Sequence, residues 1–396
     1  MTQDAISTRG RDPLPLAFAL ALAAAVSLGL ARFSYALLLP SMRTELHWSY
    51  FIAGAMNTAN AGGYLAGALL APRAFARHDA RAVLAAGGLL TVAALAAHAL
   101  ARSDLVLFVL RFFTGVGSAA LFIGGGLLAA RLAQHAAHAG RILGIYYGGT
   151  GAGIVASTLV VPPLAWRAAW IALALAAAAC TAILLGVLHH PRRRADAPAT
   201  APTPSSAAAR ARWRPMGAAL GGYLMFGVGY IGYMTFIVTL LREQALSAPW
   251  ILAFYALLGL GVMASSWIWA GLLQRARGGG AIALLNLLLA LATLLPVLSA
   301  RPAVVAMSCV LFGTTFLSLV ASTTAFVRHN LPDAAWAQGI AAFTIVFAAG
   351  QILGPSFIGW VADGPGGLAR GFVWSAALLL LGAAIAVRQH PLKSMG

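Results

Sequence analysis

The stretch HHPRRRADAPATAPTPSSAAARARWRP, residues 189–215, stands near the middle of the chain and divides it. Five prolines and six arginines fall within these 27 residues. It has no apolar face to bury and reads as a flexible basic tether. On each side of it the chain is of a different kind. Six apolar runs precede it, at 14–40, 49–72, 82–101, 104–131, 140–164 and 167–188. Six follow, at 216–241, 249–273, 280–299, 303–327, 335–361 and 367–388. Each has about the 20 residues that a helix needs to cross a bilayer. Breaks such as Pro40, Arg73, Arg102, Arg242 and Arg301 separate them. The reading is an all-α membrane protein with twelve transmembrane helices in two pseudo-symmetric six-helix bundles. Its parts are a tail at 1–13, a bundle at 14–188, the tether at 189–215, a bundle at 216–388 and a tail at 389–396.

Composition agrees. Of 396 residues, 61% are hydrophobic and 9% charged, against about a quarter charged in soluble domains. Nine acidic residues cannot cover a soluble surface, and so much apolar side chain excludes a disordered chain. The net charge of +17 has a topological explanation rather than a nucleic-acid one. Counted by loop, 18 Lys and Arg lie on the side of the termini, six on the opposite side and two inside spans. That bias predicts cytoplasmic N- and C-termini in a bacterial inner membrane. Arg9, Arg11 and Ala23–Ala25 imitate a secretion signal, but the apolar run continues past Arg32 to Pro40, longer than a signal core. Cys180 and Cys309 lie in apolar stretches and read as small buried hydrophobes.

The two halves repeat. Gly29-x-x-Arg32-x-x-Tyr35 in span 1 aligns with Gly227-x-x-Tyr230-x-x-Tyr233 in span 7. Arg131 aligns with Arg328, and Gly153 with Gly350. Duplicated halves of six spans around a linker describe a secondary transporter. Within the spans, Arg111-Phe-Phe-Thr-Gly115-Val-Gly117-Ser-Ala119 resembles the RxxxGxGxA motif of the major facilitator superfamily. Gly144-Ile-Tyr-Tyr147-Gly148-Gly-Thr150-Gly151-Ala-Gly153 resembles its glycine-rich span 5 motif, without the proline that antiporters often carry there. Gly29-Leu-Ala-Arg32-Phe-Ser-Tyr35-Ala-Leu-Leu-Leu-Pro40 resembles the YbfB/YjiJ-type branch, as do Asn60-Ala-Gly-Gly63-Tyr64-Leu-Ala-Gly67 and Gly354-Pro355…Gly359…Asp363. The resemblance covers the whole chain and implies the major facilitator fold, with spans 1 and 4 lining a central cavity. One departure stands out. The loop after span 2 usually carries an acidic residue, and Gly67-Ala-Leu-Leu-Ala-Pro72-Arg73-Ala-Phe-Ala-Arg77 has none.

A charge inside the bilayer costs a few kcal/mol or more and needs a reason. Two charges lie well inside spans, Arg32 and Arg111, and none of the nine acids does. Counted from the span ends at about 1.5 Å per residue, both arginines lie roughly 10–12 Å below the outer surface. Arg32 is the candidate anion binder, through its planar fork; hydrogen bonding to backbone carbonyls that only fixes packing is the alternative. Arg111, with Gly115, Gly117, Gly148 and Gly151, is assigned to coupling or gating. Interhelical hydrogen bonding is the alternative for Arg111. Tyr35 follows Arg32 by three residues and is expected on its face; Tyr230 and Tyr233 repeat the spacing. A two-sided substrate site is therefore expected from Arg32, Tyr35, Tyr230 and Tyr233. Asn57, Asn60, Tyr147, Thr150 and Gln351 are further candidates.

Nothing here suggests an enzyme. The nine histidines are scattered, only His98 lies in a span, and no metal-ligand, paired-carboxylate or nucleophile pattern occurs. No cofactor or metal is expected. The expected activity is secondary active transport of a small organic solute by alternating access, with a carboxylate-bearing anion favoured. With no membrane carboxylate, proton coupling would use His98 or a protonatable substrate; exchange or facilitated diffusion is the other option. Efflux of hydrophobic drugs or metabolites is the first alternative, and a transport-dead membrane sensor the second. Expected partners are the solute, lipid and protons, without nucleic acid, and the protein is expected to be a monomer.

Overall fold

The computed structural model describes residues 13–134, 139–162, 164–189, 213–332 and 335–392. The expected tether at 189–215 and the tail at 1–13 lie almost wholly outside the described residues. Of the tail at 389–396, residues 389–392 are described and are packed. Gln389 accepts a hydrogen bond from the Ala219 amide at 3.1 Å and donates one to the Pro215 carbonyl at 3.0 Å.

Twelve long helices account for the described chain: α1 Leu14–Glu45, α2 Tyr50–Arg77, α3 Ala80–His98, α4 Asp104–Gln134, α5 Ala139–Val160, α6 Trp166–His189, α7 Gly217–Glu243, α8 Ala248–Ile268, α9 Gly280–Leu298, α10 Pro302–Asn330, α11 Trp336–Ala362 and α12 Gly367–Ala386. A short helix, Ala270–Arg275, prolongs α8. Among the described residues there is no strand. Eleven of the twelve are long and apolar enough to cross a membrane. The exception is α2, which gives part of its length to Asn57, Thr58, Asn60 and four glycines. Asn57, Thr58, Asn60, Gly54, Gly63 and Gly67 face other helices, so α2 needs less apolar surface than its neighbours.

The packing repeats between halves. In the first, α1 lies against α4, α5 and α6, α2 against α4, and α3 against α4 and α6. In the second, α7 lies against α11 and α12, α8 against α10, and α9 against α10 and α12. The halves meet along α2–α11 and α5–α8, a pairing that a two-fold exchange of halves returns to itself. The aligned glycines explain part of this. Gly29 of α1 lies backbone to backbone on Gly153 of α5, and Gly227 of α7 on Gly350 of α11. A side chain at either pair would hold the helices apart.

Both described ends of the chain lie on one side, here called the near side. On the far side the halves are tied by charge. Arg43 forms an ion pair with Glu243 at 3.7 Å and stacks 3.7 Å from the centre of the Tyr50 ring. The Tyr50 hydroxyl bonds Glu243. Asp363, just past α11, accepts from the backbone amides of Tyr50 and Phe51 at 2.7 and 2.9 Å. It thereby caps the first turn of α2 from the opposite half, where an anion meets unpaired N–H groups and the positive end of the helix dipole. The far half of α1 also packs on α7.

Candidate functional site

Arg32 sits where α1 is not an α-helix. Ala25–Phe33 is a π-helical segment, closed by the Ser34 amide bonding the Gly29 carbonyl five residues back at 3.1 Å. Wider turns of this kind are rare and gather at functional sites. The turn also breaks the three-residue spacing, which corrects the expectation that Arg32 and Tyr35 share a face. Arg32 points to the junction of the halves. Its Nη2 donates to Oε1 of Gln351 on α11 at 3.1 Å, and Nε2 of Gln351 donates to the Tyr230 hydroxyl on α7. All three residues are buried. The guanidinium carbon lies 5.9 Å from the centre of the Tyr64 ring.

The Arg32 guanidinium has five N–H donors. Its one described hydrogen bond goes to a neutral amide. Its Nε is buried without a partner among the described residues. The ion pairs described are Arg43–Glu243 and Arg167–Glu45, both at the far side.

Arg111 differs in its partners. Its Nε, Nη1 and Nη2 reach the Met56 carbonyl at 3.4 Å, the Ala31 carbonyl at 3.1 Å and Oδ1 of Asn57 at 3.2 Å. The Tyr35 ring lies 4.6 Å from its guanidinium carbon. This is interhelical hydrogen bonding, tying α4 to α1 and α2. The two arginines do share a depth, since Arg111 bonds the carbonyl next to Arg32. They do not form one cationic wall.

The other candidates sort around these two. Tyr35 donates to the Ala53 carbonyl at 2.9 Å, within its own half. Asn60 donates to the Arg111 carbonyl at 3.1 Å, and Asn57 to Thr235 of α7 at 2.7 Å, which links the halves. Tyr233 bonds Ser308 of α10 at 2.8 Å and stacks on Phe312 at 4.0 Å, inside the second half. Tyr147 is 42% exposed, with its ring near Tyr146 and Phe122. Thr150 is fully buried, and its hydroxyl has no partner among the described residues. Gly115 and Gly117 seat α4 on α2 and α3. Gly148 and Gly151 face Met263 of α8, and Gly151 also meets Gly259 there, at a seam between the halves. His98 stacks on Trp170, ring centres 4.4 Å apart, between α3 and α6. The structure thus brings Arg32, Tyr230 and Gln351 together and leaves Tyr35 and Tyr233 in separate packing roles.

Sequence reasoning did not single out the aromatic wall of the second half. Tyr230 stacks on Phe226, Phe316 and Phe347, with ring centres 4.6, 6.0 and 5.7 Å away. Tyr223 continues the stack through Phe226 and Phe347. The three-to-four-residue spacing of Tyr223, Phe226 and Tyr230 was the available signal. The far-side cluster was missed as well, although Glu243 and Asp363 are acids at span ends.

A duplicated twelve-helix body with a buried arginine at the junction of its halves is the architecture of a carrier, and the family comparison decides which one. The family model described as uncharacterised MFS-type transporter YbfB matches residues 24–387. The chain belongs to this family. Major facilitator transporters carry small molecules across membranes, and this one is a multi-pass membrane protein of that kind. No curated protein matches it closely enough to add a substrate. Among solved structures it is similar to a bacterial homologue of the human lysosomal transporter Spinster, inward-facing and unoccupied: 15% identity, TM-score 0.71, over 94% of this chain and 96% of that one. The nucleoside transporter NupG is similar at 16% identity and TM-score 0.69, over 94% and 96%. The human organic anion transporter MFSD10 is similar at 16% identity and TM-score 0.62, over 94% and 98%. At such identities these likenesses establish the fold alone.

Proposed function

We propose that this transporter carries a small organic anion, bearing a carboxylate, across the bacterial inner membrane by alternating access, and that Arg32 receives the carboxylate. The observation that carries the reading is the state of Arg32: a buried cation between the halves, held by an amide, with a buried N–H lacking a partner. A carboxylate would supply the missing acceptor and the missing charge, and a bidentate pair is the strongest form of that contact. Gln351, itself held by the Tyr230 hydroxyl, then holds the guanidinium from the second half, so that both halves respond to one ligand. The near side is the cytoplasm on the positive-inside bias, and the far-side ties make this conformation inward-facing. The protein works as a monomer, since each half closes on the other within one chain.

The test is thermal unfolding in detergent against small organic anions, neutral solutes and amphipathic cations. A bound ligand raises the melting temperature by mass action. Carboxylates should stabilise the wild type and not Arg32→Ala, and Arg32→Lys should recover only part of the effect. Stabilisation by cations or neutral drugs alone, unchanged in Arg32→Ala, would overturn the anion site and favour hydrophobic efflux.

A further inference from the structure

The surroundings of Arg32 carry information about the rest of the ligand. Part-exposed aromatic rings reach the junction from both halves. Tyr64 of α2 stands 5.9 Å from the Arg32 guanidinium. From the second half, Tyr230 joins Arg32 through Gln351. Beside it, Phe347 of α11 is half-buried and lies against Tyr230, 5.7 Å between centres and 19° from parallel. Phe347 is itself backed by Tyr223 and Phe226 at 5.0 and 5.4 Å, nearly parallel to both. Its orientation is therefore fixed by stacking rather than by aliphatic packing.

The directions along the helices matter too. On α2 and α7, Tyr64 and Tyr223 lie nearer the near side than Asn57 and Tyr230 do. The cation thus stands at the deep end, and the rings extend from it toward the near side. Here a ligand whose head meets Arg32 would lay its body between Tyr64 of the first half and Phe347 of the second. Flat rings fill such a slot, because offset stacking and edge contacts add to area burial. A puckered aliphatic ring of the same size gains the area alone.

We propose that the solute is an aromatic carboxylate, with its carboxylate at Arg32 and its ring system between Tyr64 and Phe347. This rests on the anion-site reading of Arg32. The experiment is equilibrium binding to the full-length protein in detergent, by calorimetry. The probes are benzoate, cyclohexanecarboxylate, 2-naphthoate, hexanoate and the neutral 2-naphthol. Benzoate should bind about fivefold tighter than the more apolar cyclohexanecarboxylate, and 2-naphthoate tighter still. Phe347→Leu, and independently Tyr64→Leu, should shrink the benzoate preference to about twofold or less while hexanoate binding stays within about twofold. Arg32→Gln should remove binding of every acid. If cyclohexanecarboxylate or hexanoate matches benzoate, and Arg32→Gln still abolishes binding, the aromatic proposal falls and the anion site stands. If 2-naphthol binds as tightly as 2-naphthoate and Arg32→Gln changes neither, both fall. Absence of binding by every acid in the wild type would also overturn both.

Discussion

The two halves of this transporter share a backbone plan and differ in chemistry at matching positions. Gly29 on Gly153 in the first half answers Gly227 on Gly350 in the second. Three residues on, Arg32 answers Tyr230. Three further, Tyr35 answers Tyr233. The span 4 repeat sets Ser308 where the first half has Arg111. In the first half the inner tyrosine lies under a guanidinium, 4.6 Å away, whose hydrogen bonds tie three helices. In the second the inner tyrosine bonds a serine at 2.8 Å and lies on a phenylalanine. Duplication kept the small residues that let helices touch, because any side chain there collides with backbone. It released the polar positions, which became cationic on one side and aromatic on the other. At the far side the asymmetry is complementary. The first half offers Arg43 and a helix N-terminus, and the second offers Glu243 and Asp363.

The sharpest way to break this comparison is to remove the two unequal partners of the inner tyrosines. Arg111→Ala should lower stability by about 3 kcal/mol, because Asn57 Oδ1 and two buried carbonyls lose their hydrogen-bond donors. Ser308→Ala should cost about 1 kcal/mol, one neutral hydrogen-bonding group. Denaturation in mild detergent by a graded strong detergent measures both. Equal losses would mean that the halves rest on packing alone and that the Arg111 network adds nothing.

A middle-sized effect probes the shared plan. Gly29→Ala puts a methyl into the backbone of Gly153, whereas the nearest atom to a methyl at Gly227 is the Phe347 carbonyl oxygen at 3.0 Å. The first should cost about 1–3 kcal/mol, as overpacking does, and the second less. The same denaturation series decides it, and the reverse order would show that the α7–α11 seam is the tighter one.

The smallest expected effect lies at the far side. Asp363→Asn keeps the shape and removes the negative charge from the α2 terminus, a loss of about 1 kcal/mol. That corresponds to about a fivefold shift in population toward the far-side-open state. Distances between spin labels at the far ends of α2 and α11 should show a second, longer population. An unchanged distribution would assign the latch to Arg43 and Glu243 instead.

Much of this was legible in the residues. Span number, the division at 189–215 and the glycine repeat follow from apolar length and spacing, which lipid imposes on every helix separately. Arg32 and Arg111 were legible as the two membrane charges. Their separate fates were not, since both carry the same side chain at one depth. The π turn decided them: it sets Arg32 on the seam and leaves Tyr35 under Arg111. The α2 helix shows the same division: its length reads as a span, while the reason it carries more polar residues than the other spans lies in its contacts with α4 and α11.

The sequence by itself determined that the chain is a duplicated bundle of membrane helices with two buried cations and no buried acid. Hydrophobic length and the cost of charge in lipid act residue by residue, so a linear reading recovers them. Only the tertiary structure decided that Arg32 meets Gln351 and Tyr230, that Arg111 is sealed by carbonyls, and that the acids of one half close the far side on the other. Those outcomes depend on which residues 100 or 300 positions apart come within about 3 Å, and hydrogen bonds at that range follow from helix packing rather than from spacing along the chain.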